Sequence, residues 1–68
     1  MVKLQDKIIA NTIRIMKAKK ISQKYIAGFL GVSFQMVSLL LSKQRKLNLD
    51  HIDNICKALD VEIFELII

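Results

Sequence analysis

His51 and Cys56 are the only histidine and the only cysteine in the 68 residues. One of each leaves no second candidate of either type for a zinc site, which takes four ligands. Cys56 falls in an apolar helical stripe, so it reads as a buried structural thiol rather than a nucleophile. His51 lies one turn earlier and reads as a surface residue. There is no glycine-rich phosphate loop. No enzyme activity, metal or cofactor is therefore expected. The chemistry left is non-covalent. From Lys7 through Leu49 there are nine basic residues and no acid, whereas Asp50 to Ile68 carries five acids and one lysine. A one-signed basic region attracts a polyanion, either nucleic acid or an anionic membrane surface. Solvated lysines kept for solubility are the plainer alternative.

The elements that hold these residues follow from composition and spacing. No proline, two glycines and an apolar fraction of 53% argue for a compact helical domain. We expect one domain over residues 1–68, near the lower size limit for folding alone. A lone cysteine excludes an internal disulfide and suits a reducing, cytoplasmic compartment. Lys3, Asp6 and Lys7 break the first apolar residues, so no signal peptide is evident.

Tyr25 to Ser42 is uncharged and long enough to raise a membrane reading. Its internal pattern argues otherwise. Gly31-Val32-Ser33 is a stop followed by a start: glycine ends helices by adopting positive φ, and serine is a preferred N-cap. The stretch divides into helices of about Gln23 to Leu30, capped by Ser22, and about Phe34 to Leu41. Neither spans a bilayer. On the second, Met36, Leu40, Val37, Leu41 and Phe34 fill one arc, and Gln35, Ser38, Leu39 and Ser42 fill the opposite one. Two short helices around a glycine turn make the helix-turn-helix pattern, here about residues 23–41.

Three further helices are expected. Leu4 to Lys19 aligns Ile8, Ile9, Thr12, Ile13, Ile15 and Met16. Leu49 to Leu59, with Asn48 as N-cap, aligns Leu49, Ile52, Ile55, Cys56 and Leu59, and places Asp53 and Lys57 at a supportive i,i+4 spacing. Glu62 to Ile67 is short. Each is core-facing and amphipathic.

The run SQKYIAGFLGVSFQMVSLLLSKQRK resembles the helix-turn-helix of phage repressor and Cro-type (Xre-like) transcriptional regulators. Gln23 opens the motif, Ala27 takes the small-residue position where the helices cross, Gly31 is the turn glycine, and Val32, Val37 and Leu40 fill apolar positions. The resemblance continues through NLDHIDNICKALDVEIFELI and covers nearly the whole chain from Ile8. It implies an all-α, five-helix repressor-like DNA-binding domain whose third helix enters the major groove.

On that reading Gln35 contacts a base directly, since glutamine bonds adenine N6 and N7 together. Ser38 and Ser42 are less discriminating readers. Leu39, and Phe34 at the edge of the arc, would meet thymine methyls, which suits an A·T-rich operator on double-stranded DNA. Core packing is the other reading of Phe34. Gln23 would bind backbone phosphate at a helix N-terminus. Lys43, Arg45 and Lys46 would meet the flanking strand, with Lys20 and Lys24 adding to them; such contacts position without reading sequence.

The sequence departs from the family twice. Many relatives pair a buried Arg in helix 1 with a Glu at the end of the recognition helix; those positions are Met16 and Leu41 here, an apolar pair expected to pack together. Tyr25 and Phe29 stand one turn apart where relatives carry Glu, Lys or Arg. They mark either a partner surface or packing against helix 1 or the tail.

Helix 5 carries more apolar surface than a short helix buries. The resemblance implies that Ile63, Leu66 and Ile67 face the core, leaving Phe64 and Ile68 for a homodimer interface, with Ile9 and Ile13 contributing if the monomer does not cover them. The alternative is a tail that folds back over its own core. The functional expectation is a sequence-specific regulator, a repressor or Cro-like switch protein. The alternative is a protein-binding module of anti-repressor type on the same fold, favoured by Phe34, Leu39, Tyr25 and Phe29.

Overall fold

A computed structural model describes residues 3–68. Its element order is α1 (Leu4–Lys19), α2 (Gln23–Leu30), α3 (Phe34–Leu41), α4 (Leu49–Leu59) and α5 (Phe64–Ile67), with no strand among the described residues. The first four match the expected bounds. Helix α5 is shorter than expected: Glu62 lies outside any regular element, Ile63 is in a turn, and a single helical turn remains.

Caps explain where the helices begin. The Ser22 hydroxyl accepts from the Tyr25 amide at 3.1 Å, and the Ser33 hydroxyl accepts from the Met36 amide at 3.1 Å. Asn48 accepts from the His51 amide at 2.7 Å, and His51 Nδ1 accepts in return from the Asn48 amide at 3.4 Å. His51, read from sequence as a surface residue, is half-buried and closes a reciprocal cap. Each cap satisfies an amide that the helix cannot reach, worth about 1 kcal/mol.

Left-handed residues explain where helices end. Gly31 has φ 69°, as expected of the turn glycine. Lys20, Lys43 and Asp60 adopt the same conformation at φ 58°, 69° and 57°. After each, the next amide turns back to the helix: Ile21 to Met16 at 2.9 Å, Gln44 to Leu39 at 3.0 Å, and Val61 to Cys56 at 3.0 Å. These are Schellman-type ends built without glycine.

Helix α1 is the hub, touching α3, α4 and α5, while α2 packs on α3 and α4. Ile9, Ile26, Val37, Leu40, Ile55, Leu59 and Leu66 are almost fully buried. The Thr12 hydroxyl, also buried, donates to the Ile8 carbonyl at 2.7 Å. Long-range polar ties fix the layout. Asn11 Nδ2 donates to the Leu66 carbonyl at 2.7 Å and to that of Ile68 at 3.4 Å. Lys19 Nζ donates to the Leu59 carbonyl at 2.6 Å, placing a cation on the negative end of α4.

Three apolar residues depart from expectation. Leu49 is 83% exposed although its angle puts it on the apolar stripe. Residues 48–50 are all exposed, so the first turn of α4 stands clear of the core. Ile63 and Ile67 are exposed as well, because a single turn has one inward position and Leu66 takes it.

Candidate nucleic-acid interface

The chain turns through 105° between α2 and α3, within the range of helix-turn-helix units. That bend answers the membrane reading of the uncharged stretch: no single helix among the described residues is long and apolar enough to cross a bilayer. Ile26 and Ala27 of α2 and Val37, Leu40 and Leu41 of α3 are buried, so both helices are clamped from beneath.

What this leaves outward on α3 is Phe34, Gln35, Ser38 and, at its C-cap, Ser42. Phe34 is 52% exposed, which removes the core-packing reading. Leu39 is half-buried, less open than the polar arc suggested. The Ser42 hydroxyl donates to the Leu39 carbonyl at 3.2 Å, so its oxygen faces outward chiefly as an acceptor. At the start of α2, Gln23 is half-buried and Lys24 exposed; Lys20, in the preceding turn, is exposed.

Beyond α3, Lys43, Arg45 and Lys46 are all exposed. This loop is held from the first turns of α1, a support that the sequence did not reveal. Gln5 Nε2 donates to the Arg45 carbonyl at 3.4 Å, and Asp6 stands 4.0 Å from Lys43 Nζ. At that distance, with Lys43 exposed and Asp6 half-buried, Asp6 offers Lys43 a weak and salt-screened partner. No local pattern signals either tie, since each joins residues about forty positions apart in sequence.

Met16 and Leu41 are both buried in the same core cluster. They line one cleft together with Ile13, Gln23, Ser38 and Ser42. The apolar pair thus lies directly under the outward face of α3.

A family model described as helix-turn-helix matches residues 13–66, from within α1 to α5. The chain belongs to the Xre/Cro-type helix-turn-helix family. No curated protein and no solved structure matches it. Membership makes this helix-turn-helix protein a DNA-binding transcriptional regulator on an all-α fold.

Its remaining polar and reactive groups sit elsewhere. No cluster of three or more potential metal ligands occurs among the described residues. Cys56 is half-buried, and burial first, then the charges of Asp53, Glu62 and Glu65, push its thiol pKa up. That keeps it protonated and poorly nucleophilic. Tyr25 and Phe29 are both exposed with ring centroids 5.1 Å apart and planes tilted by 52°, so they cover each other rather than α1 or the tail.

Proposed function

We propose that this chain is a cytoplasmic, sequence-specific repressor or Cro-like switch protein that binds double-stranded DNA as a homodimer. One observation carries the reading. The outward arc of α3, with Phe34, Gln35 and Ser38, adjoins the exposed cations Lys43, Arg45 and Lys46 in a segment without an acid from Lys7 to Leu49.

In this reading α3 lies in the major groove, its N-terminal residues at base edges. Gln35 pairs with adenine, and Phe34 and Leu39 meet thymine methyls, which favours an A·T-rich operator. Ser38 adds a hydrogen bond, and Ser42 accepts one. Gln23 and Lys24 hold a phosphate at the N-terminus of α2, where the first helical amides have no partner within the helix. Lys20, Lys43, Arg45 and Lys46 grip the flanking strand. Two copies joined through Phe64 and Ile68, 54% and 71% exposed, would set two recognition helices on half-sites about 34 Å apart.

A salt titration of binding to duplex DNA tests this. Affinity should fall steeply, with a slope of about 0.9 per phosphate engaged. Flat or absent binding to every duplex would favour a second reading, a protein-binding module of anti-repressor type. The exposed Tyr25–Phe29 pair is the observation behind that alternative, because paired aromatics on a surface suit a protein partner.

A further inference from the structure

An open groove of about 580 Å³, on which the DNA reading makes no demand, runs between α4 and the segment Val61 to Glu65. Among the described residues, none of α2 or α3 lines it. Its floor is apolar: Ile52, Cys56 and Val61 lie half-buried along it. Leu49 and Ile63 project into it from the two helices' starts, both exposed. Its rim is acidic: Asp53, Asp60, Glu62 and Glu65. The one lining cation among the described residues, Lys57, is already paired with Asp53 at 3.1 Å.

The rim charges do little for the fold. Asp60 sits at the C-terminal end of α4, where the helix dipole disfavours an anion, in a left-handed conformation that glycine adopts more easily. Two have local tasks: Asp53 pairs with Lys57 one turn on, and Glu65 accepts from the Glu62 amide at 3.2 Å. The groove therefore combines bare apolar surface with negative charge in a chain whose remainder is basic.

That combination selects its occupant. DNA is repelled by four carboxylates. A second copy presenting the same groove across a twofold axis would set acid against acid. We propose that the groove receives the apolar face of a basic amphipathic helix from a partner protein. Helix-in-groove binding uses apolar anchors one turn apart, here resting on Leu49, Ile52 and Ile63, while lysines or arginines flanking the anchors meet Asp60 and Glu62. Opposite charges at the rim speed encounter and exclude acidic partners. The surface is separate from the DNA-contacting face and independent of the DNA reading.

Cys56, the single thiol of the chain, lies in the groove floor and reports occupancy. The test uses the full chain and a synthetic peptide with leucines at i, i+3, i+4 and i+7 and lysines elsewhere. Two control peptides replace the lysines by glutamate or the leucines by serine. The Lys/Leu peptide should bind saturably and slow alkylation of Cys56 by iodoacetamide about fivefold, while both controls leave the rate unchanged. Leu49→Ser and Glu62→Lys, both at exposed positions, should each weaken the peptide about tenfold with melting temperature and helix content kept. Binding that leaves Cys56 unprotected, equal binding by either control, or full affinity in both variants would overturn the proposal. So would a wild-type dimer that Leu49→Ser dissolves, since a second copy would then be the occupant.

Discussion

The side-chain amide of Asn11 donates to the carbonyl of Leu66 at 2.7 Å, across 55 residues of sequence. It satisfies a carbonyl in the last turn of α5 and fixes that turn on α1. Asn11→Ala should lower stability by about 1–2 kcal/mol, read as a lower melting temperature. Amide exchange should quicken in residues 64–68 more than in α2 or α3. Uniform quickening would show that the bond does not hold α5 specifically.

Leu41 is buried beside Met16 under α3. Leu41→Glu places a carboxylate there without its Arg and should cost about 3 kcal/mol or more. Combining it with Met16→Arg should return part of that loss in a double-mutant cycle. An unchanged melting temperature for Leu41→Glu alone would reject the burial.

Gln35 and Arg45 are both exposed but are assigned different tasks. Gln35→Ala should cost about 1–3 kcal/mol on the preferred site and relax one base pair per half-site. Arg45→Ala should weaken every sequence alike and flatten the salt dependence. Selection from a random DNA pool measures both. If Gln35→Ala weakens all sequences equally, it is not a reader.

Phe64 stands at the centre of the proposed dimer contact. Phe64→Glu should leave helix content intact, because the side chain is largely exposed, yet give a monomer in sedimentation at micromolar concentration. A wild type that remains monomeric even on DNA would remove the dimer from the mechanism.

Asp60 ends α4 in the left-handed region. Asp60→Gly relieves that conformation and removes an anion from the negative end of the helix, so it should stabilise by about 0.5–1 kcal/mol. Thermal denaturation at fixed pH measures it. A lower melting temperature would mean that the carboxylate stabilises the fold.

The bounds of the first four helices were legible because their signals are local. Ser22, Ser33 and Asn48 each cap within three residues, and Gly31 turns within one. The outward arc of α3 was legible for the same reason, since eight residues at a fixed angular step define one face. What escaped were facts that depend on neighbours distant in sequence. Leu49 has the right angle for burial, but the core ends before it reaches the first turn of α4. Gln5, Asn11 and Lys19 each tie to backbone carbonyls forty or more residues away, and no carbonyl has a sequence signature. The left-handed conformation of Lys20, Lys43 and Asp60 escaped as well, because glycine is the usual mark of one, although the helix ends beside them were placed correctly.

The central place of α1 also sets a schedule for synthesis. Ribosomes add roughly 5–20 residues each second, and Leu66, which covers α1, follows Asn11 by 55 positions. For several seconds the emerging chain carries α1 without its α5 cover. Contacts this far apart in sequence slow closure because the intervening loop must first be ordered. The nascent protein is thus unable to present a rigid recognition surface until the whole hub is wrapped.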